Sequence, residues 1–256
     1  MRPDMELEIC VESVESAVAA EKGGANRVEL CGALSEGGLT PSFGLIHAVT
    51  RAVGIGAYVM IRPRCGDFLY SDAEFRMMLE DVAVAREAGA RGVVVGLLTT
   101  DGTVDVERTR ALVKAAGPMD VTVHRAIDMS RDLEEALEAA IAAGAARVLT
   151  SGGAKTALQG AAKIAAMVRR AHGRIGVMIG GNVRAENLAQ IVSATGAEQF
   201  HAALRTTMDS PMLYRNAGLH LGANGSSEYT RHVVQARDVA RLRAAIDAVS
   251  APAGRA

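Results

Sequence analysis

A phrase repeated four times constrains what this chain can fold into. Gly-Ala-x-x-apolar begins at Gly24, Gly89, Gly144 and Gly196, each time after an Ala-rich stretch and before a short run fit for a strand. Glycine enters the left-handed region without a Cβ penalty, so each phrase reads as a helix stop and a tight turn into a strand. The four starts lie 65, 55 and 52 residues apart, which is too long for one βα unit and suits two. The intervening strands are predicted at residues 5–11, 57–63, 119–124 and 175–179, several announced by a glycine of their own at Gly54, Gly117 or Gly173. Eight strands then alternate with eight helices.

The helices follow the 3.6 period. Residues 72–88 set Phe75, Met78, Leu79, Val82 and Ala85 on one face. Residues 13–22, 132–143, 156–171, 184–194 and 239–249 read the same way, and Ser13 is a candidate N-cap without a full capping box. Residues 91–96 are nearly all apolar, as in a strand covered on both faces. A chain of 256 residues is long enough for one α/β domain of the (β/α)8 TIM-barrel class, expected over residues 1–256. An open doubly wound sheet is the alternative. Residues 202–235 break the rhythm with Asp209-Ser-Pro, Gly218, Gly222 and Asn224-Gly225, and are expected to form a long loop after strand eight. Residues 251–256 read as a frayed tail.

Composition excludes several classes of function. Lys+Arg 28 against Asp+Glu 29 gives a net charge of −1, so no basic field draws nucleic acid. Aromatics are 3% and Trp is absent, which leaves no stacking platform for single strands. No apolar run approaches the ~20 residues that span a bilayer. The opening residues reach carboxylates at once, where a signal peptide would set its apolar stretch. Cys10, Cys31 and Cys65 form neither an even framework nor a C-x-x-C pair, so the expected compartment is the reducing cytoplasm.

In a barrel, functional groups belong at the C-terminal strand ends. The period of two sends Leu7, Ile9 and Val11 toward the helices and Glu8 and Cys10 inward. It does the same on strand two with Val28 and Leu30 against Glu29 and Cys31. Strand three runs into Arg62, Arg64, Cys65 and Asp67, and strand five into His124, Arg125 and Asp128. Strand six ends at Thr150-Ser151-Gly152, strand seven at Gly180-Gly181-Asn182 and strand eight at His201. Each has a structural alternative. Inward cysteines are often plain core residues, Glu8, Glu29 and Arg62 can form an interior ion-pair network, and the histidines can serve backbone carbonyls. Arg64 and Asp67 can brace their own loop. Gly180-Gly181 and Ser151-Gly152 can present N–H groups to an anion at a helix start, or simply turn the chain.

The phrases Glu8-Ile-Cys10-Val, Arg27-Val-Glu29-Leu-Cys31, Ser35-Glu-Gly-Gly-Leu-Thr40-Pro-Ser, Met60-Ile-Arg-Pro-Arg64-Cys-Gly-Asp-Phe-Leu-Tyr70, His124-Arg-Ala-Ile-Asp128, Arg147-Val-Leu-Thr-Ser-Gly152 and Glu198-Gln-Phe-His201 resemble the CutC family of copper homeostasis proteins. The resemblance spans roughly residues 5 to 245. It implies a cytoplasmic (β/α)8 barrel, a homo-oligomer, and Cu(I) handling by the thiols at Cys10 and Cys31. The chain departs from the family at Ile179-Gly180-Gly181-Asn182, where many members carry Pro-Gly-Gly-Gly, and at Cys65, where glycine is common.

Two functions follow. One is a copper homeostasis protein that binds Cu(I) through Cys10 and Cys31, since soft thiolates select that ion. The other is an enzyme acting on a small anionic metabolite. There Glu8 or Glu29 would be the general base, His124 or His201 the general acid, and Arg62 or Arg64 the clamp, with Asp128 at the same rim. Asp67, Ser151, Gly152, Gly180 and Gly181 would complete the ligand contacts.

Overall fold

The structure, a computed structural model, describes residues 5–216, 218–219, 221 and 227–250. Eight parallel strands close into a barrel in sequence order: β1 (Glu6–Val11), β2 (Arg27–Leu30), β3 (Gly56–Met60), β4 (Gly92–Val95), β5 (Asp120–Val123), β6 (Arg147–Thr150), β7 (Gly176–Ile179) and β8 (Gln199–Ala202). Closure comes from β8 pairing with β1, with His201 opposite Glu8. The helices around it are α1 (Val14–Lys22), α2 (Phe43–Ala52), α3 (Asp72–Glu87), α4 (Val106–Ala116), α5 (Leu133–Ala143), α6 (Ala161–Ala171), α7 (Leu188–Thr195) and α8 (Ala236–Ser250). This is the (β/α)8 barrel that the glycine phrases predict. Gly24, Gly89, Gly144 and Gly196 all sit at positive φ, between 68° and 88°, as a left-handed helix stop requires.

The two faces of the strands part as their alternation predicts. Leu7, Ile9, Val11, Val28 and Leu30 are buried against the helices in the main core, while Cys10, Cys31, Tyr58, Met60 and Val94 form a second cluster inside the barrel. Ser13 caps α1, its hydroxyl accepting from the Ser16 N–H. A complete capping box starts α3, where Ser71 and Glu74 exchange hydrogen bonds.

Two helices are shorter than their periodicity predicts. The helix expected from residue 156 begins at Ala161, because Gly160 lies hard against Ser151: a Cβ there would stand 1.9 Å from the Ser151 carbonyl oxygen. The helix expected from residue 184 begins at Leu188, because the Asn187 side chain closes a turn first, accepting from the Arg184 N–H and donating to the Asn182 carbonyl.

Residues 202–235, expected as one long loop, contain a two-stranded antiparallel ribbon. Its strands are β9 (Arg205–Asp209) and β10 (Thr230–Val234). The ribbon docks on α1 through Ser16, which accepts from the Val234 N–H, and through an Arg231–Glu15 ion pair. Most of its side chains are polar and solvent-facing, so they give no apolar period to read. Residues 217, 220 and 222–226 between its strands lie outside the described residues, as does the tail expected at 251–256.

Candidate functional site

Because all eight strands run the same way, their C-terminal ends share one rim. Cys10, Cys31, Arg62, His124, Thr150, Gly180 and His201 all lie at or just beyond those ends. A cavity of about 290 Å³ opens there, lined among others by Cys10, Glu29, Arg62, Phe68, His124 and His201. That volume lies just below the usual range for ligand pockets, ~300–1,000 Å³.

Cys10 lines this cavity, and behind it the two thiols meet. Cys10 Sγ lies 3.9 Å from Cys31 Sγ, and the Cys31 thiol points to Glu29 Oε2 at 3.6 Å. The donor atoms of Cys10, Cys31 and Glu29 all fall within 4.8 Å of one another, as do those of Glu8, Glu29 and His201. The hydrogen bond with Cys31, burial and the Glu29 charge together push the Cys10 thiol well above its usual range. The hydrogen bond from Cys10 favours a Cys31 thiolate, but burial and the Glu29 charge outweigh it and push Cys31 up to about 11. Both sulfurs therefore carry protons at neutral pH.

His201 joins the two glutamates. Its Nδ1 is 2.7 Å from Glu8 Oε1, and its Nε2 is 3.8 Å from Glu29 Oε2. Burial would strip the imidazole of its proton, but the charges of Glu29 and Glu8 and hydrogen bonds to Cys10 and Glu8 reverse this and raise it well above its usual value. Burial likewise opposes ionisation of Glu8, yet His201 and Arg27 overcome it and hold that carboxyl at about 2. Glu29 is raised, by burial and then by Glu8, against the pull of His201.

Across the cavity stand Arg62 and His124, both flanking Phe68. The Arg62 guanidinium lies 5.0 Å from the Phe68 ring centre and the His124 ring 5.1 Å from it. Arg62 donates to the carbonyls of Glu36, Gly38 and Gly66, but no carboxylate pairs with it among the described residues. His124 accepts the Ala126 N–H at Nδ1, so its neutral ring carries hydrogen on Nε2. Burial and then the Arg62 charge lower it to about 3. His124 Nε2, Arg62 Nε and Glu29 Oε1 are buried without a hydrogen-bond partner.

Other candidate residues are engaged elsewhere. Asp128 accepts hydrogen bonds from Thr150 Oγ1, the Ser151 hydroxyl and N–H, the Gly153 N–H and Arg125. Its carboxylate is thus the anion that the strand-six glycine turn receives, and burial is overcome to hold it below the usual range. The Gly152 N–H goes to Thr150 Oγ1 and the Gly180 N–H to the Thr150 carbonyl. The Gly181 carbonyl accepts from Ala157, and the helix that Gly180-Gly181 was expected to open starts only at Leu188. Arg64 pairs with Asp67 at 3.0 Å and with Glu74, bracing its own loop away from the cavity, as the structural alternative anticipates. Cys65 is exposed.

Sequence reasoning passed over Phe68, Arg205 and a second interior network. Below the thiols, Arg27 binds Glu8 at 2.8 Å and also Glu6. Tyr58 donates to Asp120 at 2.8 Å, and Arg147 reaches the same carboxylate at 3.1 Å. Both guanidiniums lie over the Tyr58 ring. Arg27 was open to detection, since the period that turns Glu29 and Cys31 inward turns it inward too.

The closed eight-strand sheet with its surrounding helices defines a (β/α)8 TIM barrel whose polar side chains gather at the C-terminal strand ends. The CutC family model matches residues 5–206, and the chain belongs to the CutC family. A CutC family protein of Chromobacterium violaceum is 50% identical over 244 residues, covering 95% of this chain and 99% of that one. The copper homeostasis protein cutC homolog of Homo sapiens is 48% identical over 239 residues, covering 93% of this chain and 88% of its own. The crystal structure of the putative copper homeostasis protein CutC from Streptococcus agalactiae superposes with a TM-score of 0.73 at 35% identity, covering 77% of this chain and 97% of that one. Among the described residues no helix is long and apolar enough to cross a membrane.

Proposed function

We propose that this chain is a copper homeostasis protein that takes up Cu(I) between Cys10 and Cys31. One observation carries the reading: two buried free thiols 3.9 Å apart, of which Cys10 lines the mouth cavity and Cys31 lies behind it. Metal–sulfur bonds of about 2.3 Å reach both atoms at that separation, and thiolates are the soft donors that Cu(I) prefers. Uptake exchanges two thiol protons for one ion. Glu29 Oε2, already the acceptor for Cys31, would take up one of them, and the other would leave through the mouth to solvent. The product, one Cu(I) between two thiolates, bears a single negative charge, and the imidazolium of His201 beside Cys10 offsets it. The copper homeostasis names of relatives near 48% identity support the same reading.

The free thiols fit a reducing cytoplasm. Exposed Met212, Leu213 and Tyr214 beside the ribbon support a homo-oligomer in which a second copy covers them, checked by light scattering. The copper test is an anaerobic Cu(I) titration against a competing chelator. Cys10→Ser and Cys31→Ser should each lose most of the binding, while Cys65→Ser should lose little. Equal binding by the double Cys10→Ser, Cys31→Ser variant would overturn the thiolate site.

A further inference from the structure

A two-thiolate copper site leaves half of the mouth unexplained. Arg62 is only 7% exposed, yet no carboxylate compensates its charge among the described residues. Breaking or omitting one partner of a buried pair is costly, so a chain that keeps such an arginine at a cavity wall reserves it for an anion from outside. His124, 5% exposed, is neutral and holds hydrogen on the ring nitrogen that finds no partner. Both groups line the same cavity and flank the same ring. Arg205 and Arg125, the latter paired with Asp128, also line it, so cations outnumber the one carboxylate, Glu29, among its charged side chains. Opposite them Glu29 Oε1 has an empty acceptor position.

We propose that the mouth cavity binds a small organic oxyanion, a carboxylate or a phosphate monoester, between Arg62 and His124 Nε2, with a neighbouring hydroxyl of the ligand donating to Glu29 Oε1. Arginine supplies planar donors suited to such oxygens, and His124 adds a neutral donor that does not depend on its own charge. The Phe68 ring lies beside the guanidinium, 5.0 Å from its central carbon, within cation–π range. The cavity of about 290 Å³ limits the ligand to the size of a short hydroxy acid or sugar phosphate. Copper uptake and oxyanion binding then share one mouth but not their donors, with Glu29 as the common wall. Nothing in this site requires the thiols to be loaded.

The test uses calorimetry on the full, metal-free chain with four probes: propionate, lactate, inorganic phosphate and glycerol 3-phosphate. Lactate or glycerol 3-phosphate should bind, and whichever is tighter assigns the carboxylate or the phosphate class. Lactate should exceed propionate roughly tenfold, the value of one hydrogen bond to a charged acceptor, and Glu29→Leu should erase that ratio. Arg62→Met should weaken binding by roughly 10- to 100-fold, and Arg62→Lys by less. His124→Phe gives an independent reading if the Arg62 variants fail to fold. Cys31→Ser, whose side chain does not line the cavity, should keep the oxyanion even though it loses copper, so the two readings fail separately. Absence of binding by all four probes, or unchanged affinity in Arg62→Met or His124→Phe, would overturn the proposal.

Discussion

Arg27 and Arg62 are both arginines inside one barrel, 4% and 7% exposed, each with its guanidinium over an aromatic ring. They differ in what neutralises them. Arg27, at the closed end, reaches Glu6 and Glu8 and also contacts Met178 Sδ and Gln199. Arg62, at the open end, has three carbonyls and no carboxylate. The closed end is a completed network whose charges answer one another. The open end is an unfinished one, and the proposed oxyanion site rests on that incompleteness, since groups held for a ligand are not spent on stability.

Substitution of the two arginines tests this most directly. Arg27→Met removes the guanidinium partner of the fully buried Glu8 and should cost roughly 3–5 kcal/mol, as breaking a buried pair does. Arg62→Met strands no carboxylate and removes an uncompensated charge, so its midpoint should stay level or rise. Urea unfolding of both variants settles the matter. An Arg62→Met chain as unstable as Arg27→Met would erase the distinction between the two ends.

Strand β4 offers a matched pair of smaller changes. Gly92 at its start and Gly96 just beyond its end each make room for a ring: an added Cβ would meet the Tyr58 ring at 2.3 Å and His124 Cε1 at 2.3 Å respectively. Each alanine should cost on the order of 1–3 kcal/mol, the usual penalty for overpacking. The consequences should then diverge. Gly92→Ala disturbs the closed-end network and should keep ligand binding, whereas Gly96→Ala displaces His124 and should lose oxyanion binding. Melts and calorimetry on both variants sharpen the comparison, and loss of binding in Gly92→Ala would blur it.

The sequence carried the frame and the inward groups but not their partners. Alternation on β1 and β2 was enough to turn Glu8, Cys10, Glu29 and Cys31 inward, because the outward positions are uniformly apolar. It was silent on which inward groups pair, since that depends on the register between strands. Glu8 stands opposite Arg27 on one side and His201 on the other, and no local pattern encodes either neighbour. Asp128 shows the same limit. A carboxylate beyond a strand end has the look of chemistry, and only the approach of β6 reveals that Ser151 and Gly153 consume it. The β9–β10 ribbon escaped notice for a different reason, since a polar, exposed hairpin has no apolar face to betray its period.

The effect that builds up only gradually separates the two ends by pH. His124 holds its proton only below about 3 in the folded chain, against ~6.5 when unfolded. A group depressed in this way contributes stability that is present above the unfolded value and lost as pH falls toward the folded one. The loss from His124 therefore begins near pH 6.5. The carboxyl of Glu8, held at about 2 against ~4.3 unfolded, begins to contribute its own loss only below about pH 4.5. Between pH 6.5 and 4.5 the histidine adds a slope of at most about 1.4 kcal/mol per pH unit, while Glu29 and His201 titrate in other directions and are common to both proteins compared. The difference between the wild-type and His124→Asn stability profiles isolates the term. It should grow steadily as the pH falls through that window and should be unaffected by Cys65→Ser. Parallel profiles would mean that His124 carries its proton in the folded state, and that the open end of the barrel is less deeply desolvated than its geometry indicates.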